Sequence, residues 1–195
     1  MLSSIHPLGE RARNNRWGIT VTSFTVGAMT SGAALGAAMG ALGAALVKSW
    51  DPSQRTLALG VVVGVAGALD LAHLTPPGPR RQVNEHWIGH YRGSIYGAAF
   101  GTQLGIGVAT FIVTWGVFAV LVAELLTAKP VHGAIVGATF GLGRSLAPLL
   151  AGWIDRPSRL TSFHRQMARL GPITRRVTAT TASLLGVIAI AGALS

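Results

Sequence analysis

The chain contains no cysteine among its 195 residues, and only 11% of its residues are charged. The absence of thiols excludes a thiol–disulfide relay, a cysteine-ligated zinc or iron–sulfur centre and any disulfide bond. A soluble domain typically carries about 25% charged residues, so the deficit favours a membrane protein. Acidic residues are the scarcest, since six Asp and Glu stand against sixteen Lys and Arg. Few groups are therefore present for acid–base chemistry.

Apolar residues make up half of the chain, and the mean hydropathy is +0.50. They concentrate in five stretches, at 17–47, 57–74, 95–126, 131–154 and 177–194. A membrane-spanning helix needs about 20 apolar residues. The sequence therefore predicts an all-α polytopic bundle of about five spans in a single membrane domain, 1–195. The first and third stretches are long enough that each must tilt, kink or protrude from the bilayer.

The net charge of +10 is distributed unevenly along the chain. Arginines cluster at 11–16, 80–92 and 156–176, whereas the loops between these clusters hold only Lys48, Arg55 and Lys129. This alternation follows the positive-inside rule for a bacterial inner-membrane protein with a cytoplasmic N-terminus and an outside C-terminus. We therefore expect the lipid bilayer, and not nucleic acid, to be the partner of the basic residues.

Small residues recur at four-residue spacing in the first four stretches. They are Gly32, Gly36 and Gly40; Gly60, Gly64 and Ala68; Gly93, Gly97, Gly101 and Gly105; and Gly133, Gly137 and Gly141. On a helix this spacing forms one face, which lets two membrane helices approach closely. Because the fifth stretch lacks the pattern, we expect spans one to four to form the packed core and span five to be peripheral. Spans one and two also match spans three and four in layout, which suggests a two-span parallel repeat; the alternative is that all glycine-rich helices look alike.

Three polar residues inside the predicted spans are candidates for a transport path: Asp70, Gln103 and Arg144. A charge at the bilayer centre costs at least about 2.5 kcal/mol, so such residues pair with one another or line a polar cavity. We hypothesise an Asp70–Arg144 pair between spans two and four, whose functional form would be a gate or an anion site. Because ion pairs often serve packing, we favour the alternatives, which are a static pair and an Asp70 that is hydrated at the inner surface.

His86 and His90 are four residues apart and would share a helix face, as in a Zn²⁺ or Cu²⁺ site. No third ligand is evident, so a polar face on a short interfacial helix at 83–91 is the alternative. We predict no bound cofactor. The sequence has no Ser–His–Asp set at one depth, no paired carboxylates and no metalloprotease or phosphate-loop motif, and we expect a protein that is not an enzyme.

Two glycine-rich segments, YGAAFGTQLG at 96–105 and GATFGLGR at 137–144, resemble the CcdA/DsbD-type membrane proteins. That family carries reductant across bacterial membranes, with six spans in inverted halves and a cysteine in each half. This chain departs from the pattern in its span count and in having no cysteine. The resemblance therefore implies a bacterial membrane-transport scaffold, but neither electron transfer nor any site residue carries over.

The expected function is that of a small membrane transporter or permease for a small solute or ion. The alternative is a non-catalytic subunit that assembles or stabilises a larger membrane complex. The two differ in the position of the glycines, since a transporter buries them within one chain or a homodimer, whereas a partner protein leaves a Gly/Ala face for other membrane subunits.

Overall fold

The computed structural model describes residues 5–78, 90–109 and 112–194, and within them it is helical. The helices are α1 (Pro7–Ala12), α2 (Trp17–Leu46), α3 (Pro52–Leu71), α4 (Gly93–Gly105), α5 (Gly116–Leu126), α6 (Pro130–Leu150), a 3-10 turn (Ala151–Trp153) and α7 (Pro157–Leu194). Several begin at a proline, which suits the first helical turn because its missing N–H has no partner there. The predicted all-α polytopic bundle is confirmed.

Four of these helices are long and apolar enough to cross a membrane: Trp17–Leu46, Pro52–Leu71, Pro130–Trp153 and Pro157–Leu194. They correspond to the first, second, fourth and fifth predicted spans. α7 begins well before the predicted start at residue 177, because its first half is an exposed basic helix that hydropathy alone does not reveal. The predicted third span is not one helix, since the chain forms α4 and α5 on either side of a break.

α2 is the central helix, and it lies between α4 and α6. Its glycines meet backbone on both sides. A Cβ added to Gly36 would lie 2.7 Å from the carbonyl carbon of Gly133 on α6, and one added to Gly101 of α4 would lie 2.8 Å from that of Phe24. Ordinary van der Waals contact for a Cβ begins at about 3.4 Å, so only glycine permits these crossings.

α3 packs on α7 instead of joining that central group. A Cβ on Gly60 would lie 2.9 Å from the carbonyl oxygen of Gly186, and one on Gly67 would lie 2.7 Å from that of Ala179. The expectation of a four-helix core with a peripheral fifth span is therefore wrong. The glycine face of α3 needs a partner, and the single glycine at 186 is enough to let α7 provide it.

The two units of the predicted repeat have different surroundings. In the first unit α2 is continuous, whereas in the second its counterpart is divided into α4 and α5. α3 packs on α7, whereas its counterpart α6 packs on α2. The repeat therefore stays a prediction from sequence.

Candidate functional site

The break between α4 and α5 is the most unusual backbone feature of the described chain. α4 ends at Gly105, and Gly107 adopts a φ of +75° that L side chains rarely take. A short irregular segment at 112–114 then leads into α5. Residues 110 and 111 lie outside the described ranges. A broken helix leaves backbone donors and acceptors without intrahelical partners, and in a membrane these groups must be satisfied by other groups of the protein.

Asp70 accepts a hydrogen bond from the backbone on the α5 side of the break. Its side chain is only 6% exposed, and its Oδ1 accepts a hydrogen bond of 3.1 Å from the backbone N–H of Trp115 at the start of α5. Its other oxygen accepts from the hydroxyl of Thr114, which in turn accepts from the N–H of Gly116 at 3.1 Å. A carboxylate at a helix N-terminus is favourable because the unpaired N–H groups carry partial positive charge.

The end of α3 holds Asp70 in place. His73 has a φ of +58°, and its N–H bonds to the carbonyl of Asp70, while the N–H of Leu74 bonds back to that of Leu69. These two bonds form a Schellman ending. The indole N–H of Trp115 then donates to the carbonyl of Leu74 at 3.0 Å. α3 and α5 are therefore fastened end to end through both backbone and side chains.

Arg144 donates a hydrogen bond to the backbone on the α4 side of the break. From α6 its Nη1 donates to the carbonyl oxygen of Gly107 at 3.3 Å, just past the C-terminus of α4. Its guanidinium also lies 5.4 Å from the ring centroid of Phe140, a cation–π distance. A cation near a helix C-terminus is favoured for the same reason that a carboxylate is favoured at an N-terminus.

The predicted Asp70–Arg144 pair is wrong. Among the described residues, ion pairs join Arg13 to Glu10 and Arg159 to Asp155, and none joins Asp70 to Arg144. The two charges instead bracket the break, with the anion at the start of α5 and the cation past the end of α4. The sequence indicated which charges lie within the long apolar stretches, but it could not show that a helix end and not a side chain is the partner of each.

The other predicted site residues are not brought together with Asp70. Gln103 is half-buried on α4 and does not line the cavity that reaches Asp70. His86 and most of the interfacial helix predicted at 83–91 lie outside the described residues, so the histidine pair stays a prediction. Several span hydroxyls bond back to carbonyls of their own helix, as Thr25, Thr139 and Ser183 do.

A cavity of about 710 Å³ opens beside Asp70, between the end of α3, the break and α7. Its wall includes His73, Val113, Thr178, Arg175 and Arg176. It also includes Pro172, which lies inside α7 and leaves a carbonyl one turn earlier without a helical N–H. The cavity therefore offers donors, acceptors and charges of both signs, with cations in excess.

Arg175 is the wall residue that most clearly lacks a partner. Its Nε is buried, and no described group accepts a hydrogen bond from it. A buried N–H of this kind costs about 1–3 kcal/mol unless an acceptor reaches it. This Nε is closed to solvent, so an anion in the cavity would contact the part of the Arg175 side chain that lines the wall, and a guanidinium suits carboxylate or phosphate oxygens in particular.

A second polar cluster joins α1 to the helices beside it. Glu10 is fully buried and accepts hydrogen bonds from Arg13, Tyr96 and, at 2.8 Å, Thr20. Burial opposes the charge of Arg13, but the ion pair with Glu10 outweighs it and raises the pKa of that guanidinium. Both oxygens of the carboxylate accept hydrogen bonds from the protein, so this cluster serves to hold α1 against the neighbouring helices.

Glu124, in the last turn of α5, is a buried acidic residue that the sequence analysis did not include among the candidate site residues. It lies on α5 with only 2% exposure, and its Oε2 has no hydrogen-bond partner among the described residues. The signal that could have revealed it is an acidic residue inside the apolar run 116–126, where a charge is costly.

The fold and this site describe a multi-pass membrane protein built around a broken, glycine-packed helix. A family model described as the cytochrome c biogenesis protein transmembrane region matches residues 3–189. The chain therefore belongs to that family, and the predicted resemblance to CcdA/DsbD-type proteins is confirmed. Neither a curated protein nor a solved structure gives a significant match.

The family is one of cytochrome c biogenesis and thiol–disulfide transport. This chain has the family's transmembrane region without a cysteine. Because the thiolate is the nucleophile in disulfide exchange, these 195 residues have no group that performs that reaction. The break and its cavity hold a carboxylate, three arginines and hydroxyls, a set suited to binding.

Proposed function

We propose that this chain is a non-catalytic membrane transporter for a small anionic solute, with the cavity beside Asp70 as its binding site. The observation that carries the proposal is the broken helix α4–α5, whose ends are held by Asp70 and Arg144 next to an open cavity. Discontinuous helices in membrane transporters place their half-helix ends at the substrate site, which supports the same role here.

The arginine clusters suggest how the cavity faces. With the basic segments 11–16, 80–92 and 156–176 on the cytoplasmic side of a bacterial membrane, Asp70, Arg175 and Arg176 lie toward the inner surface. An anion would then enter from the cytoplasmic side, contact the Arg175 side chain on the cavity wall, and reach hydroxyl donors such as Thr178.

The placement of the glycines favours transport over the alternative, a non-catalytic subunit of a larger complex. The glycine faces of α2, α4 and α6 are buried against one another, and that of α3 is covered by α7. A subunit whose glycines dock other proteins would leave one of these faces open. This leaves the outer surfaces of the helices for lipid or for a second copy of the chain.

Cysteine accessibility tests whether the cavity holds water, and the cysteine-free chain is suited to it. Val113→Cys lies on the cavity wall, whereas Ile188→Cys lies on the outer face of α7; the two side chains are equally exposed, at 64% and 65%. We expect a membrane-impermeant maleimide to label Val113→Cys in membranes and to leave Ile188→Cys unlabelled. Equal labelling of both, or of neither, would remove the cavity from the proposal.

Flux into proteoliposomes tests the anion. Swelling in potassium acetate and potassium phosphate, with valinomycin present so that K⁺ enters together with the anion, would be followed by light scattering, with glycerol as the uncharged comparison. We expect Arg175→Gln to slow anion entry and Arg169→Gln, an exposed arginine on the same helix outside the cavity wall, to leave it unchanged. If wild-type vesicles swell no faster than protein-free vesicles in either salt, anion transport is wrong and the subunit role takes its place.

A further inference from the structure

The Glu124 carboxyl lies where three helices cross. From α5 it points toward α2 and α6, and its Oε1 is 3.0 Å from the position that a Cβ on Gly137 would take. Gly137 itself meets the backbone of Gly32 on α2, whose carbonyl carbon lies 2.7 Å from the same position. The carboxyl therefore fills space beside a crossing that has no side chains of its own.

No charged group of the surrounding helices pairs with Glu124. α2 contains no charged residue. On α6, Arg144 donates to the carbonyl of Gly107, and His132 is exposed near the helix start. On α3, Asp70 bonds to the start of α5, and Arg55 donates to the carbonyl of residue 47. Within the described residues, the carboxyl is thus surrounded by neutral groups.

An ionised carboxylate in such a place is costly. It would lose its hydration without gaining a cation or a hydrogen-bond donor, and such groups become neutral instead. The neutral acid removes the charge and gains one O–H donor. The carbonyl oxygen of Gly32 lies beside the same Cβ position on Gly137 as Oε1 of Glu124 does, so it is a candidate acceptor for this O–H.

We propose that Glu124 is a proton-binding site at the crossing of α2, α5 and α6. The carboxyl holds its proton while the three helices are packed, and it releases the proton when water reaches the crossing. Protonation therefore favours the closed arrangement, and ionisation favours separation of α5 from α2 and α6. This inference rests on the packing of Glu124 alone and does not depend on what the cavity beside Asp70 binds.

Infrared spectroscopy of the purified protein reports the proton directly, because a protonated carboxylic acid has a carbonyl stretch that a carboxylate lacks. At neutral pH we expect this band in the wild-type protein, and we expect Glu124→Gln to abolish it. Asp70→Asn, which removes the other intramembrane carboxyl, is the matched control and should leave the band in place. A band that persists in Glu124→Gln, or is absent from the wild type, would overturn the proposal.

Stability provides the second readout. Raising the pH strips the proton and places a charge in the crossing, so the midpoint of thermal unfolding of the wild type should fall. Glu124→Gln has the shape of the neutral acid and should lose this dependence on alkaline pH. The same alkaline loss in both proteins would refute the proposal. If the acid band of the wild type is lost when sodium chloride replaces choline chloride, the site binds a metal cation, and the proposal that it binds a proton is overturned.

Discussion

The crossing of Gly36 with Gly133 provides a sharp test of the central packing. Replacing Gly36 by Ala adds one methyl group to α2, which would lie 2.7 Å from the carbonyl carbon of Gly133 and overlap its oxygen. The obstacle is backbone on α6, so no side chain can rotate away. The two helices must separate by about an ångström to restore ordinary contact.

The expected cost follows from that separation. A gap of about 0.5–1 Å forfeits a quarter to a half of the dispersion energy of each atom pair that it affects. The neighbouring crossings at Gly32 and Gly40 share the same helix pair and lose contact together. Overpacking of this kind costs about 1–3 kcal/mol, and we expect Gly36→Ala to lower the free energy of unfolding by that amount.

Gly143→Ala is the matched control, because it lies on α6 with no atom within 4 Å of an added Cβ. There the methyl group adds helix propensity without a clash, and we expect a gain between zero and about 1 kcal/mol. Denaturant titration in detergent micelles, followed by the fluorescence of the five tryptophans, measures both changes. If Gly36→Ala proves as stable as Gly143→Ala, the close approach of α2 and α6 is wrong.

Three further substitutions test the helix ends. Asp70→Asn removes the carboxylate from the N-terminus of α5 and should cost about 1.5–3 kcal/mol, since the lost bonds involve a charged acceptor. Gly107→Ala forces a φ of +75° on an L residue and should cost about 1–2 kcal/mol, measured by the same titration. Burial, reinforced by Arg13, lowers the pKa of His6 below 6.5, so its stabilising contribution is present above that pH and is lost as the pH falls through the folded-state value. His6→Asn should therefore reduce the loss of thermal stability on acidification, because asparagine also caps α1 by accepting the N–H of Gly9 but does not titrate.

Each of these three predictions would be contradicted by a different result. Asp70→Asn at wild-type stability would mean that the charge of the carboxylate contributes nothing to α5. A neutral Gly107→Ala would show that the break does not need the left-handed conformation. For His6, the nearby Glu10 raises its pKa whereas His164 on α7 lowers it. An unchanged acid sensitivity in His6→Asn would therefore assign that sensitivity to these neighbours.

The helices were predictable because their signals are local. Runs of apolar residues indicated Trp17–Leu46 and Pro52–Leu71 to within a few residues, and the four-residue glycine spacing indicated faces that pack closely. The break in the third span was not predictable by hydropathy, since residues 106–115 are as apolar as a helix. Its local signal is Gly107, but a glycine in a chain with 26 of them is not distinctive.

The composition of the site depends on which helices pack against one another, and no local sequence pattern predicts that packing. Asp70 and Arg144 were identified as unusual residues, yet their partners are the ends of α5 and α4 and not each other. The basic wall of the cavity comes from Arg175, which hydropathy assigned to a loop before the fifth span. It became part of the site only because α7 starts at Pro157 and carries that arginine past Asp70.

The pairing of α3 with α7 also determines the order in which the helices can pack during synthesis of the chain. α2, α4 and α6 can close on one another as soon as α6 has been made, but the glycine face of α3 must wait for Gly186, about 120 residues after Gly64. At ribosome rates of about 5–20 residues per second, this wait is roughly 6–24 s. During that time the glycine face of α3 has no partner within the chain. A protein that binds the nascent chain before α7 is made would therefore bind at this face.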